Sequence, residues 1–230
     1  MADKNNYDGK HNKRRGKIIF AIVFIFVLGS FLIWWLGLRA QLPKLKPEEI
    51  KQTVESITSK IDSQNPASLD AVENLVSLGP EAIDVLISKL KEENINSKWA
   101  SLYALSRIGF GQKKNIRQKI IDEISPEFSS SSPSIKTMAA GITTIFGNKE
   151  GIPILIESLK FKELLLYSEP PELICQYAYD TLAHYTGQSF GAKCGWLNFD
   201  PSSQSGFEDW WEQNENNLVW NEKTKIYEIK

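Results

Sequence analysis

Histidine and cysteine each occur only twice in this chain of 230 residues, and that scarcity excludes a good deal of chemistry. His11 lies in a polar N-terminal stretch, which leaves His184 as the only histidine in the part with apolar periodicity. Asp180 precedes it by one helical turn, a spacing at which a carboxylate can orient an imidazole as a general base. No nucleophile stands in a fixed relation to the pair, because Cys175 falls on roughly the opposite face of the same helix. The pair therefore reads as an ordinary surface contact, and no catalytic residue is assigned. Two histidines and two distant cysteines also offer no metal-ligand spacing. The stretch 187–195 lacks the lysine and hydroxyl order of a phosphate loop. The expectation is a chain with no cofactor, no metal and no enzymatic activity.

Net charge is nearly absent too, at a formal -1. It is unevenly spread. Before Ile18, six basic residues (Lys4, Lys10, Lys13, Arg14, Arg15, Lys17) face Asp3 and Asp8, leaving +4 there and -5 on the remainder. A nucleic-acid binder concentrates positive charge on its folded domain, so no nucleic-acid partner is expected. Sequons of the Asn-x-Ser/Thr type are missing as well, which argues weakly against a eukaryotic lumenal protein.

Charge is absent altogether from residues 18–38, IIFAIVFIFVLGSFLIWWLGL. Such a run spans the ~30 Å hydrocarbon core of a bilayer, with Trp34 and Trp35 near the interface. It is read as a transmembrane helix. A cleaved signal peptide is the rival, but Leu38-Arg39-Ala40 is a poor cleavage site and the run is longer than a typical h-region. Residues 1–17 then form a basic, disordered cytoplasmic arm. The bulk of the chain is then expected on the non-cytoplasmic side, which is the periplasm if the source is a Gram-negative bacterium, although Arg39, Lys44 and Lys46 weaken the charge bias. Cys175 and Cys194 pair in an oxidising compartment, or Cys175 remains a buried free thiol; both readings stay open.

After a linker at 39–47, the chain turns helical. Ile50, Val54, Ile57 and Ile61 repeat at helical spacing behind Pro47. Further helices are predicted at about 67–78, 80–92, 97–108, 113–124, 133–146, 150–160 and 171–186, separated by proline and glycine breaks. Four windows end in Gly79, Gly109, Gly147 and Gly187. Eight positions earlier stand the small residues Ala71, Ser101 and Ala139, with Ala178 fitting after a one-residue slip. The glycines recur about every 30 to 40 residues, the period of two-helix solenoid units, and glycine suits a left-handed helix C-cap.

The patterns LGPEAIDVLISKL and KWASLYALSRIG resemble the HEAT-like repeats of bacterial proteins, including those of phycobilisome lyases. In that family a glycine-proline opens one helix, and a basic residue two before an alanine opens the next. Here Lys98 precedes Ala100, and Lys136 precedes Met138-Ala139. The resemblance covers roughly residues 66–187. It implies an all-α fold, a HEAT-like solenoid of about four helix pairs over 48–187. The segment 188–230 looks like the Trp-rich tail that closes such proteins, with Trp196, Phe199, Phe207, Trp210, Trp211, Trp220 and Tyr227. A helix is predicted at 207–216 and strands at 218–220 and 225–229.

Two groups are candidate partner-binding residues: the basic set Arg107, Lys113, Lys114, Arg117 and Lys119, and the aromatic pair Trp210 and Trp211. Competing readings are a solvated helix face paired with Asp122 and Glu123, and a cover over the last helix. The functional expectation is a membrane-anchored scaffold, or an accessory subunit of a membrane complex, that binds a protein partner. The alternatives are a lyase-like or ligand-binding enzyme, implied by the resemblance alone, and a complex subunit acting through its transmembrane helix.

Overall fold

Pro47 opens the first helix of the computed structural model, which describes residues 45–63, 69–166, 171–191, 194–195 and 201–230. The arm and span expected at 1–38, with Trp196 and Phe199, lie outside these residues. No helix among the described residues is long and apolar enough to cross a membrane. Residues 46–230 form one compact unit.

That unit is mostly helical, with a small hairpin at its end. Its helices are α1 (Pro47–Ser63), α2 (Leu69–Ser77), α3 (Ile83–Lys89), α4 (Ile95–Phe110), α5 (Lys114–Ile124), α6 (Pro133–Ile145), α7 (Gly151–Ser158), α8 (Ile174–Thr186) and α9 (Pro201–Asn214). Strands β1 (Leu218–Asn221) and β2 (Ile226–Ile229) follow. Local chemistry sets several starts. Glu49 Oε2 accepts from the Lys46 amide at 2.8 Å ahead of α1. Asn94 Oδ1 accepts from the amides of Asn96 and Ser97 ahead of α4. Ser132 and Pro133 open α6.

Three elements differ from their predicted form. The helix expected from 80 begins as a 3-10 turn over Gly79–Ala82 and stops at Lys89. The helix expected from 171 begins at Ile174, because the preceding backbone pairs instead with an earlier loop. Leu173 bridges Leu164, the Leu165 amide donates to Glu172 O, and the Ile174 amide donates to Glu163 O. The tail helix begins at Pro201 rather than 207. Gly206 is tolerated within it because Phe190 packs where a Cβ would be, 2.5 Å from the Phe190 Cβ.

Packing runs in order along the chain. Helix α4 touches α1, α2, α3, α5 and α6, while α6 touches α5, α7 and α8. One core joins α1 through α6 around Leu75, Leu86, Leu102, Leu105, Ile120 and Ile142. A second joins Ala140, α7, α8, the tail helix and the hairpin, with Phe207 fully buried and Trp210, Leu218 and Tyr227 nearly so. Two lysines tie successive helices together. Lys98 Nζ reaches Glu127 Oε1 at 2.7 Å, and Lys136 Nζ reaches Glu157 Oε2 at 2.7 Å.

The expected glycine caps divide into two kinds. Gly79, Gly147 and Gly187 take positive φ (72°, 92° and 68°). Gly109 does not: α4 runs through it to Phe110 in right-handed conformation. Its missing side chain serves packing, since a Cβ there would stand 2.6 Å from Phe146 Cζ. Gly147 meets both demands at once, with a left-handed backbone and the Trp220 ring 2.6 Å from where its Cβ would stand.

Candidate functional site

Ion pairs to other elements disperse the basic set of residues. Arg107 Nη1 bonds Glu73 of α2 at 3.0 Å and the Tyr103 hydroxyl at 2.9 Å. Lys119 bonds Asp84 of α3 at 2.6 Å. The in-helix partners expected from sequence are engaged elsewhere: Asp122 accepts from Gln118 at 2.8 Å, and Glu123 lies 3.5 Å from Lys91. Lys113 and Lys114 are exposed at the start of α5, and no ion pair holds either among the described residues.

Arg117 differs from the rest because it is buried, at 6 % exposure. Its position on α5 turns it toward the hairpin, where its Nη2 donates to both Glu222 oxygens at 2.7 and 2.8 Å. Lys225 bonds the same carboxylate at 2.5 Å. Arg117, and after it Lys225, hold the Glu222 carboxyl down at about 2. The turn carrying Glu222 is shaped by Asn221, whose Oδ1 accepts from the amides of Lys223 and Thr224, and by Lys225 in left-handed conformation.

A cleft of about 240 Å³ opens between α5, the end of α6 and the hairpin. Lys114, Arg117 and Glu222 provide its charged lining, with Ile121, Phe146, Val219 and Trp220 as apolar walls. Arg117 Nε and Trp220 Nε1 are themselves buried and have no hydrogen-bond partner. Sequence reasoning placed Lys114 and Arg117 in the candidate set and missed Glu222 and Trp220 as their neighbours. Arg117 and Glu222 are 105 residues apart, and nothing local marks them as partners.

A second depression, broad and shallow, lies over α8. Tyr177, Asp180, His184 and Tyr185 line it with Ile145. The exposed His184 ring stacks edge-on against Tyr185 with centroids 4.6 Å apart. Cys175 is no nucleophile for this pair, since it is bonded to Cys194 with a Cα–Cα distance of 5.8 Å. No cluster of three His, Cys, Asp or Glu side chains suited to a metal ion occurs among the described residues.

Of the aromatic pair, Trp210 is a core residue at 7 % exposure, and Trp211 is half-buried beside it. The tail helix packs on α7 and β2 packs on α8, so Phe207, Trp210, Trp220 and Tyr227 cover those helices. The partner-binding expectation for Trp210 is corrected on this point: its ring is spent on the interior. No protein-family model, no curated protein and no solved structure matches this chain.

Proposed function

We propose that the chain is a HEAT-like solenoid adaptor, or an accessory subunit of a membrane complex, anchored by a transmembrane helix at 18–38 and binding a protein partner on the non-cytoplasmic side. The observation that carries the repeat reading is the recurring lysine clamp. Lys98 and Lys136 each stand fourth in their helix, α4 and α6. Each reaches a glutamate at or just beyond the end of the following helix, Glu127 after α5 and Glu157 in α7. The contacts α3 with α5, α4 with α6 and α6 with α8 have the pattern of stacked helix pairs. Such a stack presents one layer of helices as a continuous surface that a partner recognises by shape. The Cys175–Cys194 bond supports an oxidising compartment for the folded part.

Exchange of residues 18–38 for an unrelated apolar helix tests this reading. Tagged full-length and exchanged chains are purified from the native membrane in mild detergent, and partner stoichiometry is measured for each. Equal retention of one partner by both is the expected result. Loss after the exchange moves the function into the membrane helix, and no stoichiometric partner in either overturns the adaptor reading.

A further inference from the structure

We infer that the end of the folded unit carrying the corner between α4 and α5 rests on a lipid surface, with the Phe110 ring in the bilayer interface; this rests on the anchor at 18–38 proposed above. Connectivity fixes which end that is. Helices α1 and α2 touch and are joined by a short connection, so they run antiparallel. The same holds for α3 and α4. Both α1 and α4 also touch the 3-10 turn at Gly79–Ala82, between the end of α2 and the start of α3. The start of α1 and the end of α4 therefore lie at one end of the unit. Lys119 of α5, bonded at 2.6 Å to Asp84 near the start of α3, places the α4–α5 corner there too. The anchor is expected to end at residue 38, and the unit begins at Lys46. Fully stretched, the chain between them reaches ~30 Å, so the chain enters the unit at this end, close to the membrane.

The corner has the chemistry of a boundary between water and acyl chains. Phe110 is 53 % exposed, the one aromatic ring among the large apolar side chains exposed in the described residues. Lys113 and Lys114 stand beside it, exposed and in no ion pair among the described residues. Aromatic rings favour the headgroup level of a bilayer, and lysines lay their stems over apolar surface while the ammonium reaches phosphate. Glu48, Glu49 and Glu81 at this end balance Lys46, Lys113 and Lys114. Bulk charge therefore does not drive the contact, and a bilayer without net charge suffices. The opposite end of α4 offers no equivalent: Ile95 is 40 % exposed there, but it follows the exposed Glu92 and Glu93.

The full-length chain in phosphatidylcholine nanodiscs carries the test, with a nitroxide on Gly111→Cys, Ile95→Cys or Gly29→Cys. Cys175 and Cys194 are bonded to each other, so the introduced thiol alone takes the label. A Cβ at Gly111 meets no atom within 4 Å, so that substitution leaves the corner intact. Power saturation compares oxygen, which collects in lipid, with a nickel chelate that stays in water. The Gly111→Cys label should favour oxygen severalfold more than the Ile95→Cys label, which lies ~22 Å away along α4 and should favour nickel. Adding Phe110→Ser should lower the docked-to-free ratio read at Gly111→Cys about fivefold, the share of a half-exposed ring. A Gly111→Cys label that favours nickel overturns the docking, and a corner reserved for a protein partner gives that result. The Gly29→Cys label then separates the two readings: oxygen preference there leaves the anchor standing, and nickel preference removes the anchor as well. Oxygen preference at both Gly111→Cys and Ile95→Cys, or no effect of Phe110→Ser, also overturns the contact through this corner.

Discussion

Gly109→Ala separates two accounts of one glycine. A left-handed cap would make alanine cost about 1–2 kcal/mol through backbone strain alone, whatever surrounds it. Gly109 instead lies in right-handed helix, where alanine gains about 1 kcal/mol of helix propensity. The loss comes from packing. The new Cβ would lie 2.6 Å from Phe146 Cζ, and 2.9 Å from both Phe146 Cε2 and Ile120 Cδ1. The Ile120 methyl can rotate aside, but the Phe146 ring is only 4 % exposed and closes the first core. Overpacking of this kind costs about 1–3 kcal/mol, so with two ring atoms inside contact distance the net destabilisation is about 1–2 kcal/mol. Phe146→Leu withdraws the ring edge, and in that background Gly109→Ala should become stabilising by about 1 kcal/mol, a coupling of about 2–3 kcal/mol. Urea denaturation of the four full-length proteins in mild detergent, followed by far-UV circular dichroism, measures the cycle. Strict additivity of the two substitutions would refute the packing account and restore the cap.

Glu222→Gln should destabilise the chain by about 1–2 kcal/mol at neutral pH, a figure discounted for the screening of a carboxyl that is nearly half exposed. The sign follows from a depressed folded pKa: the contribution is full above the ordinary value of 4.5 and is lost as pH falls toward about 2. Thermal melts of both proteins between pH 7 and pH 2 should converge, and a gap that persists at the acid end contradicts the Arg117 pairing. Cys194→Ser opens a cross-link of sequence separation 19 and should cost about 3 kcal/mol on the chain-entropy account. Reductant should lower the melting temperature of the parent to that of Cys194→Ser and leave the variant unchanged; an unaltered parent would show the bond contributes nothing.

Much of the architecture was legible from the chain alone, for a local reason. Helices announce themselves through apolar spacing, and the spacing of Ile50, Val54 and Ile61 reads the same in the sequence and in the fold. The hairpin followed from alternation around a polar turn, now placed with Leu218 opposite Ile229 and Asn221 opposite Ile226. The late start of α8 was not legible, because it depends on Leu164 reaching Leu173. Gly109 misled for a similar reason, since a glycine that ends a periodic run looks alike whether it caps a helix or admits a ring.

The candidate site shows the same division more sharply. Sequence determined which residues carry charge and which stretches are helical, and so put Lys114 and Arg117 on one element. Only tertiary structure decided that Arg117 is buried against Glu222, that Lys119 belongs to Asp84, and that Trp210 is interior while Trp220 walls a cleft. Helical periodicity is a property of near neighbours, with a range of one or two turns. Burial and ion pairing depend on which distant segments meet, and that is settled by packing a particular set of side chains into one core.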